Sequence, residues 1–374
     1  MSEADVVLSS VLSRLQRLVQ MESPSGDVER TTALARELAA DLEAAGAVVT
    51  LREAPGWGEH VEARVQGTDP SLEPLFLLGH LDTVFPVGTL AQRPWRVIDG
   101  RATGPGVFDM KAGLAVLLEV LARLKVDGAR PRRPLRILVS CDEEVGSASS
   151  RGHIEALAAG ATATLVLEPS LPGGAAKTAR KGVGNYRLRT FGRAAHAGLE
   201  PEKGISAITE LARQVLAAQA LAVPQLGTTV TVNLIGGGTA SNVIPAEAWA
   251  DVDVRFRTMA EAERVDAGMR ALLPALPGAR LEVTGGANRP PLERTEASAA
   301  LYRAAREVAA SLGFDLGEGS AGGGSDGNFT AALGVPTLDG LGPQGGGAHA
   351  VHEHVLVEDL PRRVAFLRAL LETL

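Results

Sequence analysis

Near the N-terminus the apolar positions recur at helical spacing, with Leu8, Leu12, Leu15 and Val19 on one face. Leu34, Leu38 and Leu42 repeat the pattern, and Gly46 marks where that second helix should stop. Short, mostly apolar runs at 47–51, 75–78, 135–139 and 165–167 predict strands buried on both faces. Between them, Leu114, Leu118, Leu121 and Leu124 predict a further amphipathic helix. Strands interleaved with helices imply an α/β fold, a mostly parallel sheet with helices on both faces. In such sheets ligands gather beyond the carboxyl ends of the strands.

From about Gly182 the pattern changes. A strand over 186–191 precedes a helix over 205–221, then come strands over 228–235 and 248–257, a helix over 260–273 and a strand over 280–284. That β-α-β-β-α-β order is the ferredoxin-like unit. The stretch DVDVRFR alternates, with Val252, Val254 and Phe256 on one face and Asp251, Asp253, Arg255 and Arg257 on the other. Such alternation predicts a sheet with one face on helices and one face open. After ANRPP (287–291) the helix and strand pattern returns. The expected organisation is a larger domain, 1–180 with 291–374, interrupted by a small domain at 181–290.

Composition narrows the function. Aromatic residues are 3% of the chain and the net charge is -7, so neither base stacking nor phosphate binding points to a nucleic-acid partner. No apolar stretch approaches the ~20 residues that span a bilayer. The N-terminal segment lacks a basic start and a continuous apolar stretch, and reads as a helix rather than a signal peptide. The single cysteine, Cys141, excludes an internal disulfide framework and fits a reducing compartment, so a cytoplasmic protein is expected. Cys141 itself reads as a small buried hydrophobe.

Polar residues cluster where the predicted strands end. PLFLLG leads into HLD with His80 and Asp82, and GPGVFDMKAG places Asp109 just before a helix. LRILVSC runs into Asp142, Glu143 and Glu144, TLVLEPS ends with Glu168, and GGGAHAVHEHV carries His349. Each alone has a bland reading: a hydrogen-bonded histidine, a helix cap, a solvated loop. Together they would not be tolerated at one sheet edge without a cation. Nitrogen and carboxylate ligands without thiolate suit zinc, with manganese or cobalt as substitutes.

The stretches GHLDTVFP, GPGVFDMKAG, CDEEVGS, LEPS, GRAAHAG, ASNVIPAEA with DVDVRFR, and GAHAVHEHV occur in order from about residue 80 to 355. In this the chain resembles the co-catalytic dizinc peptidases that include glutamate carboxypeptidase, aminoacylase and the acetylornithine or succinyl-diaminopimelate deacylases. The resemblance implies two zinc ions per subunit, with His80 and Glu168 on one, Glu144 and His349 on the other, and Asp109 bridging both, followed by a cis peptide. It implies Asp82 as the partner of the His80 imidazole and Glu143 as general base. The family pattern of a histidine, a glutamate four residues on and then a β-branched residue selects His349, Glu353 and Val355, leaving His352 and His354 exposed. The resemblance makes the inserted domain a lid and dimerisation module. From it His196 would reach the active site of the other subunit of a homodimer, and Arg255 with Asn242 would grip the substrate carboxylate. His60 and His153 have no partner motif and are read as structural, and Asp142 as structural or solvated.

The substrate class this implies is a small peptide or N-acyl amino acid, cleaved at an amide bond beside a free carboxylate. Glutamate carboxypeptidase is the first reading and N-acyl amino acid deacylation the second. A rival of another class is a serine hydrolase: GGSDG (323–327) has the nucleophile-elbow spacing at Ser325, with Asp339 and His349 following. The preceding GFDLGEGSAG, however, is a poor strand, and an elbow needs one. A non-catalytic metal-binding module is the remaining alternative, against which every ligand and the base are present.

Overall fold

In the computed structural model residues 3–374 are described, and they form two compact units. The first comprises the residues up to Ala179 with Arg294–Ala321 and Ser325–Leu374; the second comprises Arg180–Glu293 with Gly322–Gly324.

The first unit is a mixed α/β structure. Its main strands are β1 (Val48–Ala54), β2 (Gly58–Val65), β3 (Leu75–His80), β4 (Leu135–Ser140) and β5 (Ala163–Val166). They order as β1-β2-β4-β3-β5, with a short strand, Thr337–Leu338, closing the far edge. The pairings β4/β3, β3/β5 and β5 with Thr337–Leu338 are parallel, whereas β1/β2 and β2/β4 are antiparallel. The apolar runs do not announce β2, because GEHVEARV buries His60 and Glu62. Glu62 can be buried there because Arg52 and Arg64 donate to its carboxylate.

Both faces of the parallel part are covered, and alternation along the strands explains how. Leu75 and Leu77 of β3 enter one core cluster while Phe76 and Leu78 enter another on the opposite side. The larger cluster packs α1 (Glu3–Gln20), α2 (Val28–Ala44), α3 (Ala112–Val126) and the C-terminal helix Asp359–Thr373. The smaller one takes in α4 (Arg151–Ala158) and Phe329. Near its start, α3 comes close to the end of β5: a Cβ on Gly113 would lie 2.0 Å from the Leu167 carbonyl oxygen. Glycine at this point lets the segment preceding α3 approach Glu168.

The second unit contains, in order, β6 (Gly182–Phe191), α5 (Ala207–Gln219), β7 (Thr229–Gly237), β8 (Glu247–Phe256), α6 (Met259–Arg270) and β9 (Arg280–Arg289). Its sheet is antiparallel in the order β7-β8-β6-β9. Val252, Val254 and Phe256 are buried with Leu188 and Leu211, while the alternate positions on β8 remain partly exposed. No helix among the described residues is long and apolar enough to cross a membrane.

The C-terminal helix is anchored by a buried ion pair. Asp359 accepts from Arg363 Nε at 3.0 Å and from the Gln344 amide at 2.7 Å, and Arg363 Nη2 donates to the Gly174 carbonyl at 2.7 Å. Burial pushes the Asp359 pKa upward, but Arg363, the Gln344 amide and Arg362 together hold it below the usual carboxylate range. The pair's contribution is thus present above the unfolded aspartate pKa of about 3.9 and is lost as pH falls through the lower folded value. Asp359→Asn should cost about 3–5 kcal/mol at pH 7, because it leaves a buried guanidinium short of its counter-charge. Urea unfolding of both proteins should show that difference shrinking below about pH 4.

Candidate metal centre

Parallel register brings the strand ends together. His80, the last residue of β3, pairs with Ser140, the last of β4, and Leu78 pairs with Val166, the last of β5. The residues following β4 and β5 therefore leave the sheet on the same edge as His80. From β4 the chain passes through Cys141 and Asp142 into a tight turn, Glu143–Val145, and from β5 it reaches Glu168. Asp109 arrives from the distorted helical turn Val107–Lys111 ahead of α3, and the Asp109–Met110 peptide is cis.

Asp109 lies between two imidazoles. Its Oδ1 is 3.3 Å from His80 Nε2 and its Oδ2 is 3.4 Å from His349 Nε2. His80 Nε2 is also 3.5 Å from Glu168 Oε1, and His349 Nε2 is 3.0 Å from Glu144 Oε2. Donor atoms of His80, Asp109 and Glu144 lie within 4.8 Å of one another, as do those of His80, Glu143 and Glu168. The first unit thus assembles His80, Asp109, Glu143, Glu144, Glu168 and His349 in one cluster.

The electrostatics of this cluster are those of a cation site. Hydrogen bonds to Asp109 and Glu144 push the His349 pKa up to about 10. Burial opposes protonation of His80, yet Asp109, Asp82 and Glu168 outweigh it and hold its pKa well above the ordinary value. Burial raises the Glu144 carboxyl, and its Oε1 is buried with no hydrogen-bond partner among the described residues. An unsatisfied carboxylate oxygen among imidazole and carboxylate donors, with no thiolate, fits a divalent metal ion.

The supporting residues differ in part from expectation. Asp82 is buried, and its carboxylate lies 3.5 Å from His80 Nδ1, whereas the nearer partner of that nitrogen, at 3.0 Å, is the Asp82 main-chain carbonyl. The carboxylate oxygens also accept the amides of Glu143 at 3.1 Å and Glu144 at 3.2 Å, and the Ser25 hydroxyl at 2.6 Å. Of the two readings of Asp142 the structural one holds: it is buried, and its Oδ2 accepts from the Ser149 amide and hydroxyl, both at 2.7 Å. His60 Nδ1 accepts from the Cys141 amide at 3.2 Å, which leaves Nε2 to donate to Ser149 Oγ at 3.1 Å.

Glu353 has a role that motif spacing alone did not reveal. Its carboxylate accepts the amides of Gly106 at 2.8 Å, Phe108 at 2.9 Å and Asp109 at 3.0 Å, gripping the loop that delivers Asp109. Burial pushes its pKa up to about 7 against the pull of those three amides. Lys177, also not anticipated, places Nζ 3.9 Å from Glu168 Oε2. His352 is exposed, and His354 Nδ1 lies 3.0 Å from the His352 carbonyl, so His349 is the imidazole of this loop that meets the carboxylates.

The remaining candidates lie on the second unit. His196 is exposed on a two-residue strand, Ala195–His196, paired with Val243–Ile244. Its Nδ1 accepts from the amides of Gly198 and Leu199, both at 3.1 Å, which leaves the proton on Nε2. Exposed Asn242 sits beside it, its carbonyl accepting the Ala197 amide at 2.9 Å. On β8, Arg255 pairs with Asp253 through Nε at 2.9 Å and Nη2 at 2.8 Å.

The serine-hydrolase arrangement is not formed. Glu318–Ala321 does make a short strand, contrary to the sequence expectation. Ser325 Oγ, however, is buried and donates directly to Asp339 at 2.6 Å, with no imidazole between them. His349 is committed to Glu144 and Asp109.

Comparison with known proteins agrees with this geometry. Residues 76–373 match the model of peptidase family M20/M25/M40. Carboxypeptidase G2 of Pseudomonas sp. (strain RS-16) is 33% identical over 365 residues, covering 95% of this chain and 87% of that protein. A succinyl-diaminopimelate desuccinylase of Verminephrobacter eiseniae is 28% identical over 341 residues, covering 85% of this chain and 84% of its own length. Among solved structures, the M20 family metallo-carboxypeptidase Sso-CP2 of Sulfolobus solfataricus shares the fold with a TM-score of 0.77 at 17% identity, covering 100% of this chain and 99% of that one.

Glu353→Ala would remove the acceptor of three amides and let the Asp109 loop drift. Metal affinity should fall about 10–100-fold, as for other residues that orient ligands, with Glu353→Gln intermediate because it keeps one acceptor oxygen. Elemental analysis after dialysis against buffered zinc measures this, and unchanged metal content in the alanine variant would contradict it.

Proposed function

The chain belongs to peptidase family M20/M25/M40, and we propose that this metal-dependent hydrolase cleaves an amide bond beside a free carboxylate, as a glutamate carboxypeptidase does. The observation that carries this reading is the Asp109 carboxylate facing two imidazoles beside the turn that bears Glu143. In it His80 with Glu168, Glu144 with His349, and Asp109 would hold two zinc ions, replaceable by cobalt or manganese. The bound pair would supply Lewis-acid polarisation of the scissile carbonyl and a lowered pKa for the attacking water.

The chain's own groups do the rest. Glu143 takes a proton from the attacking water and delivers it to the departing amine. Asp82 accepts the backbone amides of both Glu143 and its neighbour Glu144 and so fixes the turn. His80 donates through Nδ1 to the Asp82 carbonyl, which turns Nε2 toward the carboxylates. Asp82 thus supports His80 and the catalytic turn together.

In this reading the larger domain, 1–180 with 291–374, is catalytic. The ferredoxin-like domain at 181–290 serves as a lid and joins two subunits in a homodimer. His196 of one subunit stabilises the oxyanion in the other, and its protonated Nε2 suits that task. Arg255 and Asn242 hold the substrate carboxylate, for which the planar guanidinium fork is well matched. The lone buried Cys141 supports a reducing, cytoplasmic setting. A second reading, N-acyl amino acid deacylation, is favoured by the likeness to the desuccinylase.

Glu143→Ala should keep its metal while turnover falls about 10²–10⁴-fold, the usual contribution of a general base. Near-wild-type activity in that variant would remove Glu143 from the role. A release assay over N-acyl amino acids and peptides with C-terminal glutamate should show the glutamate compounds turned over best. Preference for N-succinyl or N-acetyl diamino acids would select the deacylase reading instead.

A further inference from the structure

We propose that Asp326 is a positioning residue for the hydrolysis, a single carboxylate that ties together the two ends of the turn carrying Glu143 and Glu144. The proposal rests on the function assigned above.

Asp326 is buried, and its two oxygens take hydroxyls from either side of that turn. Oδ2 accepts Ser140 Oγ at 2.8 Å, and Oδ1 accepts a short hydrogen bond from Ser147 Oγ. Ser140 is the last residue of β4, and Ser147 follows the turn after Gly146. The Ser147 backbone is in the left-handed region, with φ of 60°, which is disfavoured for a residue with a side chain and needs contacts to hold it. One such contact is its amide, which donates to the Asp142 carbonyl at 2.8 Å. A second is its carbonyl, which accepts the Arg151 amide at 3.0 Å, and a third is the hydroxyl on Asp326.

Asp326 stands at the start of the short helix Gly327–Ala332, yet its side chain makes no capping bond there. The loop around it is itself fixed. Ser325 Oγ donates to Asp339 at 2.6 Å, and the Ser325 amide donates to Asn328 Oδ1 at 3.0 Å. Residues 325–328, at the end of the GGSDG stretch that does not form a nucleophile elbow, thereby hold Asp326 in place.

The consequence for the reaction is mechanical. Glu143 and Glu144 are adjacent, so any rotation of the turn moves a base and a metal ligand together. Asp82 restrains the turn through its amides, and Asp326 restrains where it begins and ends. Slackening the second restraint should disturb the placement of both carboxylates while leaving substrate contacts alone.

The test uses full-length holoenzyme and the metal-depleted protein. Asp326→Ala should lower kcat about 10–100-fold with KM changed by less than about threefold, and should weaken cobalt uptake, followed by its visible absorption bands, by a similar factor as kcat. Asp326→Asn should recover most of both losses, because a serine hydroxyl can accept from the amide as well as donate to it. Adding Ser147→Ala to Asp326→Ala should cost little more, since the two act as one contact. Folded Asp326→Ala protein with wild-type kcat and cobalt affinity would overturn the proposal, as would strictly additive losses in the double variant. Should Asp326→Ala fail to fold, the pair Ser140→Ala and Ser147→Ala removes the same two bonds, and wild-type behaviour there would equally overturn it. Glu143→Gln serves as control: if it retains turnover the functional assignment fails, whereas if it is inactive and Asp326→Ala is normal, only the clamp fails.

Discussion

Like charges set the terms for this molecule. Four carboxylates, from Asp109, Glu143, Glu144 and Glu168, meet within one cleft against two imidazoles. Positive charge must be supplied for such a group to persist. The crowding shows in the imidazoles, since the neighbouring carboxylates raise the pKa of both His80 and His349, and in Lys177, whose Nζ lies 3.9 Å from Glu168. Divalent cations provide the same compensation more effectively and turn it to chemistry. The parallel register of three strands is what makes the crowding unavoidable, since it delivers their polar exits to one edge.

A second set of carboxylates surrounds the first, and it is satisfied in a different way. Asp82 and Glu353 give both oxygens to backbone amides, Asp142 gives Oδ2 to the Ser149 amide and hydroxyl, and Asp326 gives its own to serine hydroxyls. Each of these bonds fixes a segment that carries a member of the inner set. Hydrogen bonding alone does not divide the two sets, because Asp142 Oδ1 and Glu144 Oε1 are both buried without a hydrogen-bond partner among the described residues; what distinguishes Glu144 is its place beside His349 and Asp109. Buried acidic residues thus serve two purposes here. The outer ones remove the freedom of the backbone, and the inner ones keep a demand for cations.

The second unit follows a simpler logic. Its antiparallel sheet buries one face with two helices and leaves the other to polar side chains, so Arg255 and Asp253 pair on an accessible surface. The His196 ribbon lies apart from that sheet, with the ring oriented by two amides rather than by packing.

Much of this was legible in the chain because the relevant signals are local. Strand and helix periodicities are set by neighbours a few residues apart, so LFLLG and LRILV announce buried strands and the residues just beyond them mark a ligand edge. DVDVRFR likewise declares which side of its strand is buried. What escaped were features whose partners are remote. The strand GEHVEARV was hidden because its buried His60 and Glu62 look like surface residues until their partners are in place. Glu353 grips an amide 247 positions away, and Ser147 meets Asp326 across 179. The sequence alone determined which residue types would stand at the sheet edge. Tertiary structure alone decided that Asp82 would hold backbone amides as well as flank an imidazole, and that Ser325 would bond to Asp339 rather than to a histidine, because hydrogen-bond partners are chosen by packing in three dimensions and leave no periodic trace along the chain.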